Sequence, residues 1–378
     1  MAVAETGTSA DHHDDHHDHP EFIAHHFENA EQQFDSGKLG IWLFLVTEVL
    51  FFSGLFVAYT LYRTHHPEIF EQAHVFLDKY LGALNTLVLL FSSLTMALGV
   101  RAAQLGNNRS TALYTLITMF CAAMFLGVKA IEYSHKWDMG IFPRSTFALD
   151  MGHHAAREGT LAHSLGVSEY LVWLCVVPAV LLVAFVALSV FSMLTKKGVW
   201  PKFFAGLAFT VFGYFFGVIC GHFYMQFTAG GTGGHASNQT VLFALQEEAH
   251  ADESHGADSG GGEHKESDES HAAADAHEGE HHADDGHGDD HSHGGDHGPD
   301  QPKLDRDIGT FFSIYYCMTG LHAIHIIAGI GFLAWIFARS LMGHWRSDYF
   351  GPVDYVGLYW HLVDLIWIYL FPLLYLID

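Results

Sequence analysis

Thr319-Gly320-Leu321-His322-Ala323-Ile324-His325 and Tyr359-Trp360-His361-Leu362-Val363-Asp364-Leu365-Ile366-Trp367 each place ionisable side chains inside a long apolar run. A charged group at the centre of a bilayer costs about 2.5–3.5 kcal/mol or more, so such residues are rare and mark a site or a buried contact. On helices, His322/His325 and His361/Asp364 are spaced i,i+3 and lie close together on one side. Two facing helices are expected to bring all four polar groups together as a membrane-embedded cluster. Their nitrogen and oxygen donors could hold a transition metal, but no further ligand has diagnostic spacing, and an interhelical hydrogen-bonded cluster is the preferred reading.

Outward from these two segments, seven stretches reach the roughly 20 apolar residues a spanning helix needs. They run over 39–62, 80–103, 111–134, 168–194, 203–227, 309–338 and 352–377. Lipid offers the backbone no partners, so helices are the default. The fold class expected is therefore all-α, a polytopic membrane helix bundle. Gly213, Gly217 and Gly221 repeat at intervals of four, a pattern that lets helix backbones approach closely and predicts a packing face. With the N-terminus cytoplasmic, the short inner loops carry Arg101 and Arg109, then Lys196, Lys197 and Lys202, then Arg339 and Arg346. That density satisfies the positive-inside rule. The N-terminus lacks a basic-then-apolar leader, so the first span is expected to be uncleaved.

The formal charge of −25 resides in two appendages. Residues 1–38 hold nine acids and one base, and residues 247–307 hold twenty acids and three bases, leaving a near-neutral membrane body. No basic face exists to meet phosphates, which excludes a nucleic-acid partner. Cys121, Cys175, Cys220 and Cys317 all fall within apolar spans without CxxC spacing, and read as packed thiols. Residues 1–38 and 228–306 are too poor in large apolar side chains to offset ordering entropy and are expected to be disordered, save for a possible short helix at 240–245. Residues 250–297 contain eleven histidines interleaved with acids. Among them His281, His282, His287, His291 and His293 are candidates for weak Zn²⁺, Ni²⁺ or Cu²⁺ sites. A solvated linker whose metal binding is incidental is the competing reading.

Glu48 lies mid-span in Trp42-Leu43-Phe44-Leu45-Val46-Thr47-Glu48-Val49-Leu50-Phe51-Phe52-Ser53-Gly54. An acid there is either satisfied by a neighbouring helix or used for proton handling or lipid contact. Lys129 and Glu132, i,i+3 at the end of the third span, read as a local ion pair near the interface.

These motifs resemble subunit III of haem–copper terminal oxidases. The Glu48 span looks like the family's helix with a buried acid. Leu84-Asn85-Thr86-Leu87-Val88-Leu89-Leu90-Phe91-Ser92-Ser93 resembles the next helix, Ala130-Ile131-Glu132-Tyr133 the end of the third, and the two opening segments the last two. The resemblance covers about 39–135 and 307–377. Residues 136–306 depart from the pattern by inserting two extra spans and the His-rich segment; an even number of added spans preserves the orientation of the flanking helices. The chain thus divides into a tail (1–38), three helices of a subunit III-like core (39–135), an inserted two-helix hairpin (136–227), a His-rich loop (228–306) and the last two core helices (307–378). The two helices that precede the buried acid in longer family members are absent, as in five-helix bacterial forms.

What the resemblance implies is an accessory subunit with no haem, copper or catalytic centre of its own. Haem and copper would sit in the partner, catalytic subunit I, beside subunit II. Phospholipid would be bound near Glu48, with His322, His325, His361 and Asp364 lining and bracing the bundle. The location implied is a bacterial-type inner membrane, with the His-rich loop and C-terminus outside. Two alternatives stand beside it: a subunit III-like partner of a quinol oxidase or nitric oxide reductase, and a His-rich membrane protein that handles metal.

Overall fold

A computed structural model of the chain describes residues 27, 29–139, 141, 168–196, 198–230 and 303–377. The proposed metal-ligating histidines and the possible helix at 240–245 lie outside the described residues. The chain separates into two compact units, one comprising Met1–Gln226 with Leu304–Asp378 and the other Phe227–Lys303. The helix packing and the polar interior belong to the first.

The elements are α1 (Ala30–His65), α2 (Pro67–Ala73), a 3₁₀ turn (His74–Phe76), α3 (Lys79–Gln104), α4 (Asn108–Asp138), α5 (Glu169–Leu194), α6 (Trp200–Gly230), α7 (Lys303–Leu341) and α8 (Gly351–Tyr375). Seven of these are long and apolar enough to cross a membrane, and they coincide with the seven spans expected. No strand occurs among the described residues. The chain is an all-α polytopic bundle.

Helix starts follow from local chemistry. Asp78 Oδ1 accepts from the backbone N–H of Tyr80 and Leu81 at 2.9 and 3.0 Å, and Asn107 Oδ1 caps α4 through Ser110 N at 3.3 Å. Such caps satisfy amides the helix leaves unpaired. Asn29 caps α1 in the same way through Gln32 N at 2.8 Å. Residues 30–38 are therefore helical, a correction to the disordered tail expected through residue 38. Composition there is polar, but Phe34 packs against Phe350 and stacks on Tyr355 at 5.9 Å between centroids, and these contacts hold the turn. Likewise α7 begins at Lys303, within the loop expected to remain disordered to 306, and α4 continues to Asp138, past the boundary set at 135. The short α2 and the turn after it were not anticipated.

The interior lies among α3, α4, α7 and α8, where Trp360, Trp367, Phe125, Phe312, Tyr315 and Tyr375 are fully buried. α3 packs along α4 and α8, and α1 packs on α8. α1 gives only a thin seam to the bundle: its buried residues Leu45, Phe52 and Tyr59 recur every seven positions, the spacing of a single helix–helix contact line. Its remaining apolar residues face outward, as lipid permits.

Both helices of the inserted hairpin pack on α4, α5 through Leu171 against Ala130 and Ile131 and α6 through its glycines. A Cβ on Gly217 would collide with the carbonyl oxygen of Met124, and one on Gly127 with that of Tyr214. Only glycine allows that backbone approach, so the predicted packing face is realised against α4. α5 contains Pro178, which cannot donate to the carbonyl four residues earlier. That carbonyl, Leu174 O, instead accepts from Tyr214 Oη at 3.1 Å. α5 is thereby tied to α6 where its own ladder is broken.

Candidate functional site: a polar interior in an apolar bundle

Three settings of polar side chains occupy the bundle. The first joins α1 to α7. Glu48 Oε2 lies 3.0 Å from His325 Nε2, and His325 Nδ1 lies 2.7 Å from the carbonyl of Leu321. A carbonyl only accepts, so Nδ1 carries a hydrogen. Then either Glu48 carries a proton and donates to a neutral Nε2, or the ring is an imidazolium facing a carboxylate. In both cases one proton sits in the Glu48–His325 bond and the pair is neutral overall. Neutrality is what an apolar surrounding demands. The two side chains are 19% and 18% exposed, so the pair borders the protein–lipid boundary and is not sealed inside it. Phe52 packs edge-on to the His325 ring at 5.1 Å, and Tyr359 Oη donates to His325 O at 3.0 Å.

The second setting centres on Glu132 of α4. Lys129 Nζ reaches Oε2 at 2.8 Å and Lys136 Nζ reaches Oε1 at 2.8 Å. Tyr315 Oη and Tyr375 Oη also donate to Oε1, at 2.7 and 2.5 Å. Four donors on one carboxylate, two of them charged, constitute the dense charge-assisted bonding a buried acid needs. Two lysines against one carboxylate leave one positive charge over within this group. Aromatic faces meet it: Lys129 Nζ lies 4.5 Å from the Trp367 ring centroid and 5.0 Å from that of Tyr375, and Lys136 Nζ 5.0 Å from that of Tyr315. Cation–π attraction is strongest where water is excluded, as here.

The third setting holds the remaining expected residues. His361 Nε2 donates to Ser93 O at 3.2 Å. Trp360 Nε1 donates to Ser92 Oγ at 3.0 Å and Trp367 Nε1 to Thr86 Oγ1 at 3.1 Å. His322 is fully buried, with its ring 5.3 Å from Trp367 and 5.6 Å from Phe125. Asp364 is 1% exposed, with Ser93 beside it.

The four residues of the opening segments are thus not bonded into one cluster, which corrects the first expectation. Positions i and i+3 differ by about 60° around a helix axis. On α7 that angle divides the two histidines: His322 points into the interior and His325 toward α1. Glu48 and His325, flagged separately in the sequence, are brought together. The Lys129–Glu132 pair is present and buried among the helices. Lys136, Tyr315 and Tyr375 were missed. The spacing Lys129-x-x-Glu132-x-x-x-Lys136 does carry the signal, since i,i+3 and i,i+4 positions converge on one helix face. Among the described residues, no group of three or more His, Cys, Asp or Glu side chains is placed to hold a metal ion.

Comparison with known proteins concentrates on the last two helices. The family model for cytochrome c oxidase subunit III matches residues 306–378. Cytochrome c oxidase subunit 3 of Thermostichus vulcanus is 40% identical over 69 residues, covering 18% of this chain and 34% of that protein. The Homo sapiens and Hippopotamus amphibius proteins of the same name are each 36% identical over 67 residues, covering 18% of this chain and 26% of theirs. The chain therefore spans about a quarter to a third of the length of the relatives it matches. The matched region contributes His322, His325, His361, Asp364, Tyr315 and Tyr375, whereas their partners Glu48, Ser93, Lys129, Glu132 and Lys136 come from helices outside it. Residues 306–378 of this chain are thus similar to cytochrome c oxidase subunit III.

Proposed function

We propose that the chain is a non-redox accessory subunit of a haem–copper terminal oxidase. It would bind phospholipid along α1 and support assembly and sustained proton uptake by the catalytic subunit. Haem and copper belong, in this reading, to catalytic subunit I and its neighbour subunit II, and the chain supplies no catalytic residue. Its place is a bacterial-type inner membrane, with the N-terminus cytoplasmic and the His-rich loop and C-terminus outside.

The observation that carries this reading is the Glu48–His325 bond. It joins a family-matched helix to a helix whose motif only resembles the family. The pair is only partly covered and is flanked by outward-facing Phe44, Val49, Leu50 and Phe51. An acyl chain can lie along that surface while the pair offers hydrogen bonds to an ester or headgroup. If bound lipid sustains turnover, Glu48→Gln and His361→Ala should assemble normally yet lose oxidase activity faster during turnover than the unaltered complex. Inactivation kinetics identical to wild type in both variants would count against the role.

A further inference from the structure

Residues 101–113, 196–209 and 333–346 hold seven lysines and arginines and no aspartate or glutamate. Where the start of α4, the start of α6 and the end of α7 meet, a groove of about 400 Å³ runs between them. Ala205 and Gly206 line it on α6, and the missing Cβ of Gly206 leaves room for the Phe337 ring of α7. Leu113 and Leu116 of α4 line the facing side. At the inner end Phe209 stacks on Phe120 of α4, with ring centroids 4.9 Å apart. Lys202 stands at the outer end, in the first turn of α6, exposed and without an ion-pair partner among the described residues. Ser189 Oγ of α5 donates to Pro201 O at 3.0 Å, which fixes the turn that carries this lysine. Lys202 to Phe209 is about 10 Å along the helix, about two-thirds of one leaflet of a roughly 30 Å hydrocarbon core.

We infer that this groove holds one anionic phospholipid, an acyl chain lying between α4 and α6 and the phosphate on the Lys202 ammonium. An apolar slot alone accepts any acyl chain, so charge decides the headgroup. The three segments supply no carboxylate to neutralise Lys202, and Arg339 is engaged over the Trp335 ring at 5.6 Å. Lysine binds phosphate as a point charge, and each basic residue near a membrane surface favours anionic lipid. Basic residues at helix ends also set topology. Topology asks only for charge near those ends, whereas this lysine stands at the mouth of a groove of lipid-chain character. The site is separate from the α1 surface, because α6 lies in the segment that departs from the subunit III pattern. It goes beyond the oxidase reading and does not depend on it.

Photo-crosslinking tests this on the protein purified from its native membrane, with whatever subunits accompany it, in phosphatidylcholine vesicles. The probes are phosphatidylglycerol and phosphatidylcholine with the same diazirine-bearing acyl chain, each added at the same low fraction. Leu116 and Phe209 report the groove. The phosphatidylglycerol probe should label them about fivefold more than the phosphatidylcholine probe, the factor one basic residue at a membrane surface gives. Lys202→Gln should bring the two probes level while phosphatidylcholine labelling persists, which shows the groove intact; Lys202 is exposed, so the variant keeps its core. Arg101→Gln, which removes a base at the same end but outside the groove, should keep the preference. Equal labelling by both probes in the unaltered protein would overturn the site, the groove then holding acyl chains without regard to headgroup. An equal fall in the two variants would overturn it as a diffuse field, and no label from either probe would show the groove closed to lipid. None of these readouts involves haem or turnover, so the site and the oxidase reading fail separately.

Discussion

At the scale of single residues, the buried charges of α4 are met by dense bonding. Glu132 is the clearest case, because four donors converge on it from three helices. Glu132→Gln would strand Lys129 and Lys136 in a dry interior, and breaking a buried pair in this way costs about 3–5 kcal/mol. We expect Glu132→Gln to lower the midpoint of thermal unfolding in detergent markedly, whereas Tyr375→Phe, which removes one neutral donor, should cost about 1 kcal/mol. Similar losses from the two would show that the carboxylate is not the hub. The Glu48–His325 pair behaves differently, since it is neutral as a unit and partly open. Glu48→Gln keeps a donor facing Nε2, so its effect should appear in turnover life and not in folding. Sequence showed which residues here were unusual but not their partners: i,i+3 spacing fixes a pair's position on its own helix, while the helix it faces is a tertiary fact. Glu48 and His325 are 277 residues apart, and nothing local links them.

At the scale of elements, hydropathy alone located all seven long helices, because length and apolarity suffice in a membrane where period does not matter. Boundaries were less legible. Asn29 begins a helix in a polar stretch that composition reads as tail, since one cap and the Phe34 contacts outweigh a weak average. The glycine repeat was readable as a packing face but not as a packing partner; Gly127 on α4, which completes the contact, has no repeat of its own. Gly217→Leu should push α6 off the Met124 carbonyl and loosen α6 from α4, while α5 keeps its own contacts with α4. Cysteine cross-linking between α4 and α6, efficient in the parent protein, should then fall sharply, while the Glu132 network and the α3–α4 packing persist. Unchanged cross-linking would mean that α6 is held by something other than close backbone contact.

At the scale of the whole molecule, a subunit III-like bundle carries two additions, a membrane hairpin and a His-rich acidic segment. The bundle's polar interior draws on α1, α3, α4, α7 and α8 alike, so the last two helices that match the family are completed by residues outside the match. Deleting residues 247–300 should leave assembly intact if the chain is an oxidase subunit, and should abolish metal-dependent flux or sensing if it moves metal. The most direct test of the oxidase assignment is purification of the chain from its native membrane in mild detergent, followed by a reduced-minus-oxidised visible spectrum. Haem bands co-eluting in stoichiometric amount with the chain are predicted. An intact, haem-free preparation would contradict the assignment and leave the subunit III likeness as ancestry alone.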